Sequence, residues 1–204
     1  MTSSLKAHTL TVIFMLAQAI IYAGSTDSLL RCYKQAESDT QRIRLLFLMG
    51  NRYYDGPSDS LIHYYDRALE MIVTKLDSPG ADDALMADYR KLQFRALMEL
   101  GIEHSFQGKN DTALGFYRRA LEVSEMLADS GMMSECYGSM GILHKSRGEY
   151  LMALDYYEKA LTMARAVGDP NWEAACYINA GNVLRRTGDF VKALAYYLRA
   201  LEYF

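Results

Sequence analysis

Three stretches of this chain, beginning at Gly108, Gly148 and Gly188, are near copies of one another, spaced forty residues apart: GKNDTALGFYRRAL, GEYLMALDYYEKAL and GDFVKALAYYLRAL. A fourth copy, GPSDSLIHYYDRAL, begins at Gly56, twelve residues out of phase. A fixed period of this size marks one supersecondary unit repeated, each copy burying its apolar face against its neighbours. Length and composition agree. Of 204 residues half are hydrophobic and only three are proline, which suits helices around a continuous core.

Two helical faces alternate within a period. In MMSECYGSMGILHKSR (132–147), Tyr137, Met140, Gly141 and His144 fall at i, i+3, i+4 and i+7, one face of a helix that Gly148 ends. A second helix over 150–167 lines up Ala153, Leu154, Tyr157, Ala160, Leu161 and Ala164. Gly168-Asp169-Pro170 breaks it, and the next first helix begins near Asn171. The pattern predicts an all-α solenoid of stacked antiparallel helix hairpins. Gly101, Gly141 and Gly181 share one position, Ala113, Ala153 and Ala193 a second, and Ala120, Ala160 and Ala200 a third. Glycine inside a helix costs about 1 kcal/mol relative to alanine. Three in register therefore imply close approach of the paired helices, and Gly141→Leu or Ala160→Leu is expected to destabilise by roughly 1–3 kcal/mol.

These positions resemble the tetratricopeptide repeat, whose first helix carries an aromatic or leucine, a leucine-glycine pair and an aromatic, and whose second carries alanine, aromatic, alanine. The matching sets are Leu97, Leu100, Gly101, His104, Ala113, Tyr117, Ala120; Tyr137, Met140, Gly141, His144, Ala153, Tyr157, Ala160; and Tyr177, Ala180, Gly181, Leu184, Ala193, Tyr197, Ala200. The likeness spans 39–204 and implies a right-handed superhelix. It departs in its period of forty rather than thirty-four, in lacking the usual proline after the second helix, and in a degenerate first copy with Met49 at the glycine position and Leu61 for the first alanine. The segments read as a leading helix (24–38), a degenerate repeat (39–76), a repeat with an extended first helix (77–129), a third repeat (130–169) and a truncated fourth (170–204). Asp82 or Asp83 is placed to cap a long first helix over 84–107, with a separate short helix there as the alternative.

The N-terminus differs. Lys6, the apolar run Leu10–Ala23 and the small residues Ala23, Gly24 and Ser25 match a secretory signal peptide (1–23), cleaved after Ala23, against an uncleaved anchor or a buried helix. Export to the periplasm or cell envelope is the expectation. Removing 1–23 leaves 21 basic against 25 acidic side chains, so no basic footprint for nucleic acid exists. Cys136 and Cys176 lie one repeat apart, where helix axes stand 8–10 Å apart and a disulfide needs about 7 Å or less; they read as buried residues.

Catalytic signatures are missing: no phosphate-binding glycine loop, no Gly-x-Ser-x-Gly, no His-Glu-x-x-His and no Cys-x-x-Cys. No cofactor or metal is expected. His104 and His144 are repeat-equivalent packing residues without further ligands, and His63 is expected at the surface. Of the pairs Tyr64-Tyr65, Phe116-Tyr117, Tyr156-Tyr157 and Tyr196-Tyr197, the second member belongs to the core and the first to the groove beside it, which is better than a stacking platform for bases or sugars.

What remains is a surface. In the tetratricopeptide register the inner positions are Arg95, Glu99 and Ile102; Glu135, Ile142 and Lys145; and Asn179, Asn182, Arg185 and Arg186. Amides suit an extended backbone and guanidinium groups suit carboxylates, although Arg185 and Arg186 equally suit a solvated helix end. The lysine-and-asparagine clamp by which some relatives hold chaperone tails is not reproduced. The chain is thus expected to be a non-catalytic scaffold for a protein or peptide. Its layout also resembles sensor portions of bacterial envelope proteins, which implies, as the alternative, the N-terminal part of a histidine kinase or transcriptional regulator. Leu201, Tyr203 and Phe204 are expected to leave an uncapped apolar end. That suggests a fragment, with membrane contact only through the signal segment or a missing C-terminal part, or self-association.

Overall fold

The computed structural model of the chain describes residues 26–52, 58–78 and 82–203, and segment 1–23, expected to be a signal peptide, lies outside them. The described residues form helices joined by short turns, with no strand among them: α1 (Thr26–Gln35), α2 (Asp39–Arg52), α3 (Ser58–Leu76), α4 (Asp83–Phe106), α5 (Asn110–Met126), α6 (Ser130–Ser146), α7 (Tyr150–Val167), α8 (Pro170–Arg186) and α9 (Phe190–Leu201). Two compact units divide between Asp77 and Ser78.

In the first unit α2 packs against α3, and α1 packs on α2. Ile43, Leu46, Met49, Leu61, Tyr65 and Ile72 are wholly buried between them. Tyr65 meets Phe47 edge-to-face at 5.1 Å and donates its hydroxyl to Asn51. A Cβ on Gly50 would stand 2.7 Å from the Tyr65 ring. Gly50, not Met49, is therefore the notch of this copy. Gly50 and Tyr65 are fifteen residues apart and Gly101 and Tyr117 sixteen, so alignment from the downstream glycine slips by one. Lys75 and Arg42 converge on Asp39, at 2.6 and 2.9 Å, and hold its carboxyl below the usual range, chiefly through the Lys75 hydrogen bond.

The second unit holds three hairpins: α4 with α5, α6 with α7, and α8 with α9. Each successive first helix packs on the second helix before it. α4 runs unbroken for 24 residues from an Asp82 cap whose carboxylate accepts from the Leu85 N–H at 2.7 Å. Asp129 and Asp169 cap α6 and α8 in the same way. Gly108, Gly148 and Gly188 end the first helices at φ of 73°, 76° and 86°; the N–H of the next residue returns to the carbonyl five back, as at Lys109 to His104 (2.9 Å). This closure needs the left-handed conformation that glycine adopts freely. α7 ends likewise on Gly168 at φ 72°, but α5 ends on Ala128 at φ 51°.

Glycine notches admit tyrosine rings rather than helix backbone. A Cβ on Gly101, Gly141 or Gly181 would lie 2.5, 2.7 or 2.7 Å from Tyr117, Tyr157 or Tyr197 of the same hairpin. Tyr117 and Tyr157 are buried, each contributing about 1.5–3 kcal/mol by analogy with other large side chains. Ala113, Ala120, Ala153 and Ala160 are wholly buried around them. The first members of the aromatic pairs cover the first helix: Phe116 stacks on His104 at 5.3 Å, Tyr156 on His144 at 5.1 Å, and Tyr196 meets Tyr177 edge-on at 5.5 Å.

At the C-terminal helix, Leu194, Leu198 and Leu201 are exposed, Leu201 by 66%. Tyr203 departs from the expectation of a solvent-facing apolar residue. Its ring stacks on Tyr177 and its hydroxyl donates to Glu173 at 2.7 Å, because Glu173 is nearly buried and needs the donor. Phe204 lies outside the described residues.

Candidate functional site

The first helices α4, α6 and α8 lie side by side, with Cys136 on α6 placing its sulfur 3.7 Å from that of Met98 on α4. Their buried stripe faces the second helices. Another stripe, at i, i+4, i+7 and i+11, is formed by Arg95, Glu99, Ile102 and Phe106 on α4, Glu135, Ser139, Ile142 and Ser146 on α6, and Ala175, Asn179, Asn182 and Arg186 on α8. Corresponding members are forty residues apart, so the three stripes form one ladder across the unit.

Each candidate side chain has a distinct setting. Arg95, Arg185 and Arg186 are exposed, while Glu99, Lys145, Asn179 and Asn182 are half-buried. The Lys145 ammonium reaches from α6 to the Asn179 carbonyl on α8 at 3.5 Å. Arg186 lies over the Tyr150 ring, 5.7 Å from its centre. Asn182 is already engaged: its oxygen accepts from the Tyr197 hydroxyl at 3.0 Å, as Asn51 accepts from Tyr65 in the first unit. Its amino group and the second lone pair of its oxygen are left for a ligand. At the same rung, α4 and α6 carry Ile102 and Ile142, and the buried Tyr157 hydroxyl has no hydrogen-bond partner. Phe106, 75% exposed, joins the stripe. It falls four residues after Ile102, at the last turn of α4.

Charge is unevenly distributed along the ladder. Glu99 on α4 and Glu135 on α6 stand on successive rungs of neighbouring helices; burial raises both carboxyl pKa values, the Glu99 charge raises Glu135 further, and Arg95 partly offsets the rise at Glu99. Burial lowers the Lys145 pKa, and Arg186 lowers it further. The α4–α6 end is thus crowded with carboxylates, and the α6–α8 end with cations.

The remaining candidates are structural. His144 stacks on Tyr156 and pairs with Glu149 across the turn, and His63 is exposed beside Tyr64. No three His, Cys, Asp or Glu side chains converge as metal ligands among the described residues. Cys136 and Cys176 are buried free thiols whose pKa values are pushed up to about 12, first by burial and then by Glu135 and Glu173. No helix among the described residues is long and apolar enough to cross a membrane.

A tetratricopeptide repeat family model matches residues 133–204. No curated protein matches the chain significantly. Among solved structures, the chain is similar to BtubC (BKLC) from P. vanneervenii, at 22% identity over 87% of this chain and 69% of that one, with a TM-score of 0.71. It is similar to a signal transduction ATPase with numerous domains from Pyrococcus horikoshii, described as having a tetratricopeptide repeat sensor: 18% identity, 93% of this chain and TM-score 0.72. It is also similar to a Rap protein complexed with competence and sporulation factor, at 15% identity, 95% of this chain and TM-score 0.70. The chain spans 28% of the ATPase and 52% of the Rap protein. Its fold is that of a tetratricopeptide-repeat α-solenoid.

Proposed function

We propose that this tetratricopeptide-type solenoid is a non-catalytic scaffold that holds a protein or peptide on the stripe formed by α4, α6 and α8. One observation carries the reading: amide, guanidinium and carboxylate groups from three first helices share a single ladder with apolar Ile142 and Phe106 among them, and Lys145 and Arg185 stand beside it. A surface of that kind offers hydrogen bonds to an extended backbone and ion pairs to its side chains. The complex of the similar Rap protein with competence and sporulation factor is in keeping with a bound factor here. The signal-like segment 1–23 supports a place in the bacterial cell envelope, where the bound partner is met.

A sensor element within a larger signalling protein is the second reading, favoured by the likeness to the ATPase whose tetratricopeptide repeats are described as a sensor. Both readings use the same surface. The test is capture from envelope extract by the wild type and by Asn179→Ala combined with Arg185→Ala. Asn182 is left intact because it holds Tyr197. Loss of the captured partner at unchanged helicity supports the assignment, and equal recovery rejects it.

A further inference from the structure

We infer that the ladder selects an extended segment bearing a basic side chain and, about five residues away, acidic side chains: the base sits between Glu99 and Glu135, the acids against Lys145, Arg185 and Arg186. This rests on the binding surface proposed above and adds the chemistry of its occupant.

The argument begins with like charges held together. Glu99 and Glu135 stand on adjacent helices in a half-buried setting, where two carboxylates repel and both lose hydration. Arg95 acts on Glu99, whereas the charge acting on Glu135 is that of Glu99 itself. At the other end Lys145 is half-buried beside Arg186, with Arg185 next to it in the chain. Each end is relieved by a ligand charge of the opposite sign. A wholly acidic or wholly basic segment relieves one end and aggravates the other, so the pair of ends reads an order of charges. Between them Ile142 is 47% exposed and gives the segment an apolar contact.

The spacing follows from helix geometry. Packed axes 8–10 Å apart and a rise of 1.5 Å per residue put the two ends roughly 15–20 Å from each other. An extended chain covers about 3.3–3.6 Å per residue, which gives about five residues between the charges.

The probe is an array of acetylated, amidated heptapeptides in which lysine, aspartate and neutral residues are permuted, with binding measured by fluorescence anisotropy. Peptides with lysine first and aspartate at positions six and seven are expected to bind about tenfold tighter than those with either charge neutralised. Glu99→Gln with Glu135→Gln erases the preference for lysine and keeps that for aspartate; Arg185→Gln with Arg186→Gln does the reverse. Peptide binding that Ile142→Arg abolishes, but that ignores charge order, overturns this inference and leaves the surface standing. Binding indifferent to Ile142→Arg in a protein of unchanged helicity, or none by any peptide, overturns both.

Discussion

Tyr157 and Tyr197 occupy the same place in successive hairpins, against Gly141 and Gly181, yet differ at one atom. The Tyr197 hydroxyl donates to Asn182, and the Tyr157 hydroxyl, beside a hairpin with Ile142 in that place, has no partner. A net hydrogen bond contributes about 0.5–1.5 kcal/mol, and a buried polar group without one costs about 1–3 kcal/mol. Tyr197→Phe should therefore destabilise by about 0.5–1 kcal/mol, while Tyr157→Phe should be neutral or stabilising. Urea unfolding followed by circular dichroism measures both, and a loss at Tyr157→Phe equal to that at Tyr197→Phe would contradict the packing. The glycine notches were legible, because three glycines in register inside helices need a reason, but the sequence alone implies a neighbouring helix there where the structure puts a tyrosine ring. The asparagine after the glycine was not, since only the fold brings its carboxamide to a ring fifteen residues on.

Helices α4 to α8 each end on a residue in the left-handed conformation, and α5 alone among them uses alanine there. Ala128 stands where Gly168 stands forty residues later and closes its helix in the same left-handed conformation, with the Asp129 N–H returning to the Ser124 carbonyl at 3.1 Å. A left-handed L-residue costs about 1–2 kcal/mol. Ala128→Gly should thus stabilise by about 1 kcal/mol, raising the melting temperature by roughly 2–4 °C; calorimetry showing a fall would contradict the cap. The first helices α4, α6 and α8 were readable from their punctuation, aspartate before and glycine after. The unbroken α4 was one of two open readings, because no proline lies between Asp83 and Gln107 to break a long helix, while the twelve-residue phase slip leaves room for a short separate one. The slip from Gly50 to Met49 shows the limit of periodic reasoning: one residue fewer between the glycine and its tyrosine moves every equivalence upstream of it.

Across the second unit, register turns three ordinary amphipathic helices into a ladder with carboxylates toward one end and cations toward the other. The candidate stripe was legible because residues forty apart must share a face once the hairpins stack. Its internal contacts were not, for Lys145 to Asn179 and Arg186 to Tyr150 join different helices, and no single helix's pattern encodes its neighbour. Nothing in the pattern of α4 alone made Phe106 a groove residue rather than a frayed end. The most direct test of the account compares two positions in one hairpin with nearly equal exposure, Ile142 on the first-helix stripe (47%) and Met152 on the second helix (49%). A photo-reactive benzoylphenylalanine placed at each in turn, and irradiated with the captured partner, should give adducts from 142 and none from 152. Adducts from 152 alone, or equally from both, would contradict the assignment of the binding face.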